Sequence, residues 1–391
     1  MAMYFVGIDI SKYKHDCCII SAVDQKIVSK LTVKNNKAGF EQLLTVFNSL
    51  SNPEDIKIGF ESTAHYALNL ELFLENAHHS FMEINPLLIK EYKKSTSLRR
   101  TKTDSVDCES IARWLMTVEY KPHSKGFYHS YSLKSLTRLR DRLIRQRSFY
   151  LVKITNVLDH TFPEFKPFFH ERLSKTALYL LENYGSAEKM AKMNSAAYEK
   201  LRSLSRGKFS PQQFIRLKEL AANTVGVNNS IFDVELNSPL ALYKSLIKEI
   251  DTLEKEINRL IEEVHPHYMS VPGIGPISAA VIYSEYGDIS NFSTPAQMLA
   301  FAGIEPGIND SGTESHGGRM VKHGSSQLRY VLINCCLPLI RFDMTFAAYY
   351  AKKRGEGKPH RVAVTHVAKK LVRVIYALER QGVDFNALKL R

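Results

Sequence analysis

The sequence predicts a mixed α/β domain over residues 1–125, a helical region with long coiled-coil helices over 126–265, and a mainly helical domain over 266–391. Three observations carry this. Strand-period and helix-period apolar runs are interleaved in the first 120 residues. The middle of the chain repeats apolar residues at alternating spacings of four and three. The last third sets Pro/Gly-rich turns and a Gly-rich loop among apolar helices.

The strands come first. Met3–Ile10 is apolar and β-branched, and Asp16–Ser21 and Ile27–Val33 follow at the short spacing of an antiparallel meander. Gly39–Leu50 has helical periodicity, Ile56–Phe60 reads as a strand, Tyr66–Glu75 as a helix, Phe81–Ile84 as a short strand and Val106–Val118 as a helix. The order β-β-β-α-β-α-β-α implies a mixed sheet covered by helices. RNase H-like nucleases use that order, although order alone does not assign a function.

In the middle, Leu246, Ile250, Leu253, Ile257, Leu260 and Val264 form an a/d seam, the mark of a coiled coil or a long helix pair. A second long helix runs through Leu133–Leu158, with Leu136, Leu139, Leu143, Tyr150, Ile154 and Val157 on one stripe. Its outer face carries Arg138, Arg140, Arg142, Arg145 and Arg147 against a single acid, Asp141. A solvated face is the commoner explanation of such a run, but this excess of arginine favours a phosphate-facing surface. Residues 165–235 read as short helices and loops without assignable chemistry.

The C-terminal region opens on Val271-Pro272-Gly273-Ile274-Gly275-Pro276, which resembles a helix-hairpin-helix turn. Gly273 and Gly275 would let backbone N–H groups approach a phosphate; a plain turn between helices is the alternative. A Gly-rich loop, Gly303–Gly324, follows, then helices over Ser326–Arg341 and His360–Arg380 and a strongly basic end.

Bulk properties narrow the class of function. The net charge of +13 over 391 residues favours a polyanionic partner. The five cysteines (Cys17, Cys18, Cys108, Cys335, Cys336) include no CxxC and suit neither a disulfide framework nor a zinc ribbon. They read as small buried residues of a reducing compartment. No signal-peptide pattern opens the chain, and no apolar stretch reaches the roughly 18 residues of a membrane span.

The chemistry-bearing residues are acids. Asp9 interrupts an apolar run at the end of the first strand, and Glu61 ends the next core strand in Gly59-Phe60-Glu61. On adjacent strands the two carboxylates leave the sheet at one edge, where open α/β sheets place ligands. Asp104 and Asp107 are three apart, hence on one helix face, and repel each other unless a cation intervenes. Four convergent carboxylates make a hard-oxygen site suited to Mg2+ or Mn2+, and paired ions clamp the oxygens of phosphoryl transfer. Taken singly, Asp104 also suits a helix N-cap and Glu61 a solvated surface.

These motifs, GIDISK, FEST and KTDSVD, resemble the D-E-D-D tetrad of the RuvC-like domain in bridge-RNA-guided insertion-sequence transposases of the IS110 type. SVPGIGPISAAVI, FAGIEPG, SGTESHGG and KHGSSQLR resemble the second half of that family, in matching order. The resemblance covers about 1–125 and 268–385, and the middle segment is longer than in compact members. It implies a RuvC-like catalytic domain, a linker and oligomerisation region, and a transposase domain. Asp9, Glu61, Asp104 and Asp107 then hold Mg2+ (or Mn2+), and Ser311 is the nucleophile that forms a 5′-phosphoserine with DNA. The residues alone do not choose Ser311 over Ser315, Ser325 or Ser326, and a turn with Gly312 is its bland role.

The resemblance also implies donor and target DNA, a structured bridge RNA, a homo-oligomer (dimer or tetramer) joining the serine of one subunit to the tetrad of another, and action in the cytoplasm on nucleoid DNA. Candidates for gripping nucleic acid are Lys93, Lys94, Arg99, Arg100, Arg138, Arg142 and Arg145, with Arg319, Lys322 and Arg329 flanking the serine loop. Two rival readings are a hydrolytic nuclease such as a Holliday-junction resolvase, and a non-catalytic nucleic-acid-binding protein. The long second half disfavours the first and the complete set of acids the second.

Overall fold

A computed structural model describes residues 3–61, 66–96, 104–122, 127–170, 173–227, 230–311, 314–321 and 324–387. The chain divides into two compact units, Met1–Ser130 with Ser290–Ser293, and Tyr131–Ile289 with Thr294–Arg391.

The first unit contains β1 (Tyr4–Ile10), β2 (Lys14–Ser21), β3 (Ile27–Lys34), α1 (Lys37–Leu50), β4 (Ile56–Glu61), α2 (Leu68–Asn76), β5 (Phe81–Ile84), α3 (Pro86–Thr96) and α4 (Asp104–Leu115). The sheet order is β3-β2-β1-β4-β5. The meander β1-β2-β3 is antiparallel, while β1-β4 and β4-β5 are parallel. Period-two alternation splits the strands between two faces. Val6, Ile8, Ile10, Ile58 and Phe60 pack with Phe40, Leu43 and Phe47 of α1 and Leu70 and Leu74 of α2. On the other face Phe5 and Ile84 pack with Ile111, Trp114 and Leu115, and Cys18 and Ile20 with Cys108 and Ala112.

That second face is shaped by two glycines. Gly7 and Gly59 are direct partners across β1 and β4. A Cβ at Gly7 would lie 2.1 Å from the Cys108 carbonyl oxygen and 2.4 Å from the Ala112 nitrogen, and one at Gly59 2.8 Å from Leu115 Cδ1. α4 therefore rests on the strand backbone itself. The sequence did not reveal α3, whose only fully buried apolar residue is Ile89.

The second unit begins within α5 (Phe127–Thr161), at Tyr131, followed by α6 (Phe165–Phe168), α7 (Lys175–Asn183), α8 (Ala187–Ala191), α9 (Ser195–Leu204), α10 (Pro211–Ala222) and α11 (Ser230–Val264). α5 and α11 have 35 residues each, about 50 Å at 1.5 Å per residue. They run antiparallel: Arg140, early in α5, donates to Glu254, late in α11, at 2.7 Å, and Ile154, Val157 and Leu158 share a core with Leu236, Leu240 and Tyr243. Short helices α6–α10 complete that core through Phe165, Leu180, Met190, Leu201 and Leu217. The 246–264 seam is at least partly covered from within the chain, with Ile250 and Ile257 buried and α12 packed beside it.

The remainder comprises α12 (Pro276–Tyr286), α13 (Pro295–Ala302), β6 (Pro306–Ser311), β7 (Glu314–Met320), α14 (Ser326–Phe342), α15 (Met344–Gly355) and α16 (His360–Gln381). Val364, Val367, Leu371 and Ile375 form the buried face of α16, which packs on α14 and α15. The expected loop at Gly303–Gly324 contains an antiparallel hairpin, β6–β7. All five cysteines are buried and free. Among the described residues no single helix is long and apolar enough to cross a membrane; α14 and α15 pass that test only as a pair bent by 105°.

Candidate active site

Asp9 and Glu61 each follow the last paired residues of β1 and β4, Ile8 and Phe60, so they are neighbours at one sheet edge. Two residues beyond Gly7 and Gly59, they lie on the face that α4 covers. Both are half-buried. The direction of α4 follows from its contacts. Phe5 shares a core with Ile111, Trp114 and Leu115, and Gly7 lies against Cys108 and Ala112. α4 thus runs counter to β1, and its first turn, with Asp104 and Asp107, heads toward the end of β1 that carries Asp9.

A salt bridge from Glu109 to Lys30 of β3, at 2.8 Å, fixes one flank of α4. Burial pushes the Glu109 carboxyl up, yet hydrogen bonds from Lys30 and Arg113 bring it to a net position below the ordinary carboxylate range. The Asp107 carboxylate meets the Lys93 ammonium at 2.9 Å, with side-chain exposures of 15% and 31%. Lys93 is expected from the sequence to grip nucleic acid; the fold brings α3 alongside α4 and pairs it with Asp107. No local sequence signal could have found this pair.

Among the described residues no three His, Cys, Asp or Glu side chains form a group able to hold a metal ion. Like-charged carboxylates repel without a cation between them, and Asp107 turns to Lys93. The set still fits a divalent ion in chemistry, being all-carboxylate and hard, and a Lys93 ammonium already balances one member's charge.

Ser311 ends β6 and pairs with Glu314 across the hairpin, next to the pair Asp310–Ser315. Ser325 is the N-cap of α14 and accepts a hydrogen bond from Leu328 N at 3.2 Å, and Ser326 is the first residue of that helix. Ser325 thus has a structural task as a helix cap.

The basic candidates divide. The Arg138 guanidinium forks onto Glu285 of α12 at 3.0 and 3.3 Å, so the fold uses it internally. Arg329 donates to the Ala302 carbonyl oxygen at 3.2 Å, closing the C-terminus of α13 beside Gly303. Arg145 pairs with Asp141 at 2.9 Å and Lys94 with Glu91 at 2.7 Å, both as surface pairs one helical turn apart. Arg142 is exposed on α5. Arg319 lies on β7, whereas Arg99, Arg100 and Lys322 lie outside the described residues.

Gly273 has φ +93°, and a Cβ there would lie 2.9 Å from the Cys335 carbonyl oxygen. Close approach of α14 explains this glycine without a phosphate. Gly275, the N-cap of α12, has open space around it. The element directly before this turn is a single 3-10 turn, His267–Ser270, which follows the end of α11 at Val264.

Known proteins match both halves of the chain. A transposase family model named for the DEDD residues of IS110 elements matches residues 6–163. A second, described as the transposase IS116/IS110/IS902 family, matches residues 266–351. An insertion element IS110 protein of Streptomyces coelicolor is 29% identical over 244 residues, 60% of this chain and 59% of that one. An IS900 protein of Mycobacterium paratuberculosis is 24% identical over 395 residues, 98% of this chain and 97% of that one. The pilin gene-inverting protein of Moraxella lacunata is 22% identical over 390 residues, 99% of this chain and 98% of that one. With both family segments present in order, the chain belongs to the IS116/IS110/IS902 family of insertion-element transposases.

Proposed function

We propose that this protein is a DNA transposase or recombinase that cuts and rejoins strands through a covalent phosphoserine, with an RNase H-like domain supplying a carboxylate site for Mg2+. The strongest single support is the meeting of Asp9 and Glu61 at one edge of the sheet, with the Asp104–Asp107 turn directed to the same end. The strand order β3-β2-β1-β4-β5 with an antiparallel β2 agrees with an RNase H-like domain. The relative named for gene inversion points to rearrangement of DNA and away from simple hydrolysis.

In this mechanism Ser311 Oγ attacks a DNA phosphorus, an Oγ–P bond forms, and the P–O3′ bond breaks; the departing O3′ takes a proton from a general acid or water and leaves as a 3′-hydroxyl. The Oγ proton passes to a base, because a serine hydroxyl is a poor nucleophile at its free pKa. A second strand's 3′-hydroxyl then displaces serine, restoring the phosphodiester and the free hydroxyl. Asp9, Glu61, Asp104 and Asp107 would hold the divalent ion, which when bound offsets negative charge on the phosphate. Lys93 holds Asp107 in place when the acids have no ion. Serine and tetrad are contributed by different subunits of a homo-oligomer. A structured bridge RNA pairs with donor and target DNA, so that base pairing carries specificity.

Two substitutions test the chemistry. Asp9→Asn is expected to abolish metal-dependent cleavage while leaving the fold intact, and full activity would remove the metal model. Ser311→Ala is expected to eliminate the denaturation-resistant protein–DNA adduct; an adduct that persists points to another nucleophile. Sequencing nucleic acid that copurifies with the protein tests the RNA: one defined species supports guidance, and unselected DNA opposes it.

A further inference from the structure

We infer that the α9–α10 hairpin is a docking surface for duplex DNA, separate from the acidic site; this rests on the reading of the chain as a DNA-rearranging enzyme. The hairpin lies in the stretch between the two segments that match the family. Residues 195–219 hold six Lys or Arg and two Glu. Leu201, Phe209 and Leu217 face the core, and Tyr198 packs on Phe214 with ring centroids 5.5 Å apart. The polar residues are thereby turned outward: Lys200, Arg202, Arg206, Lys208 and Arg216 are all exposed.

Their charges are poorly compensated. Arg202 and Arg216 reach Glu199 and Glu219 only at 3.8 and 3.9 Å. Among the described residues no salt bridge involves Lys200, Arg206 or Lys208. The turn that presents them is fixed. Gly207 N donates to the Arg202 carbonyl oxygen at 2.8 Å, Arg206 has φ +54°, and Ser210 and Gln213 form a capping box at the start of α10. A group of weakly compensated cations around an ordered turn suits a phosphate backbone.

The face of α10 beside that cluster points to duplex DNA. Gln212, Ile215 and Arg216 are exposed at the three- and four-residue spacings of one helix face. Amide, apolar and guanidinium groups are those that read adenine, the thymine methyl and guanine edges in the major groove. An exposed helix about 10–12 Å across enters the roughly 12 Å major groove of B-DNA. The deep, narrow major groove of A-form RNA does not admit side chains in this way.

The test uses the full-length protein and compares it with the combined variant Arg202→Gln, Arg206→Gln, Lys208→Gln and Arg216→Gln, whose exposed positions leave the core intact. Affinity for duplex DNA is measured by fluorescence anisotropy across salt concentrations, with a structured RNA in a parallel series. The expected result is a shallower log–log slope for the duplex, by roughly 3, from the loss of about 0.9 per phosphate contact. An unchanged duplex slope overturns the inference, and so does a loss confined to RNA. If the wild-type protein cleaves no DNA, the strand-transfer reading fails, while the binding slopes still decide the role of the hairpin.

Discussion

Lys93 and Asp107, on different helices, meet at 2.9 Å beside the sheet edge that carries Asp9 and Glu61. This pair gives the site a built-in cation. A partly exposed pair of this kind contributes up to about 1 kcal/mol. Lys93→Ala is therefore expected to lower the melting midpoint of the metal-free protein by roughly 2–4 °C. Added Mg2+ should then raise the variant's midpoint more than the wild type's, because the ion supplies the missing charge. If Lys93 instead grips DNA, the variant will respond to Mg2+ as the wild type does and lose salt-dependent DNA affinity.

Gly7 is where α4 touches the sheet backbone, and any side chain there must push the helix away. Gly7→Ala would place its methyl 2.1 Å from the Cys108 carbonyl oxygen. Overpacking against backbone costs about 1–3 kcal/mol or more. The expected outcome is a lower denaturation midpoint and weaker strand cleavage, since Asp104 and Asp107 ride on the displaced helix. Wild-type stability in this variant would show that α4 does not sit as described.

These two cases mark what the sequence could reveal. Strands of the first unit were legible because β-branched residues recur at period two, and α11 because its seam repeats in heptads. The β6–β7 hairpin was not, since PGINDS and ESHGGRM have few β-formers and read as a loop. The seam's partner was also hidden: periodicity says that a face is covered, not by which helix. Asp9 and Glu61 stood out because an acid ending an apolar strand has no packing role, and the register of β1 on β4 makes them neighbours. The Lys93–Asp107 pair was not legible because its two members are not local in sequence.

His79 and His15 give the first unit a pH dependence. Both are buried, and among the described residues neither ring finds a hydrogen-bond partner of ordinary geometry. His79 packs edge-on against Phe47 at 5.3 Å, and His15 stacks on Phe40 at 5.8 Å. Burial lowers the pKa of both; for His15 the Asn35 side chain, the Lys14 backbone and the Asp16 charge oppose it in part. In the unfolded chain each histidine takes up a proton near pH 6.5, while the folded protein still resists it. Stability is therefore full above that pH and falls as pH drops below it, until the lowered folded value is reached. Each group can contribute a slope of about 1.4 kcal/mol per pH unit in that window. Chemical denaturation from pH 7.5 to 5 should show the decline, and His79→Leu should make it shallower. An equal decline in that variant would assign the effect elsewhere.

Arg138 and Glu285 separate a structural role from a nucleic-acid role on the arginine-rich helix. The Glu285 side chain is 3% exposed and that of Arg138 49%. Removing the arginine leaves a buried carboxylate without its partner, whereas removing the glutamate leaves a guanidinium that water can reach. Breaking a buried pair costs about 3–5 kcal/mol; the half-exposed arginine brings the expected loss for Arg138→Ala toward the lower end. Glu285→Ala should cost less, and the double substitution no more than Arg138→Ala alone. A double-mutant cycle read by denaturant midpoints measures the coupling. The salt slope of DNA binding should be unchanged in Arg138→Ala once the protein is folded. A slope that drops by one phosphate's worth, with stability intact, would return Arg138 to the DNA-facing surface that its sequence neighbourhood suggested.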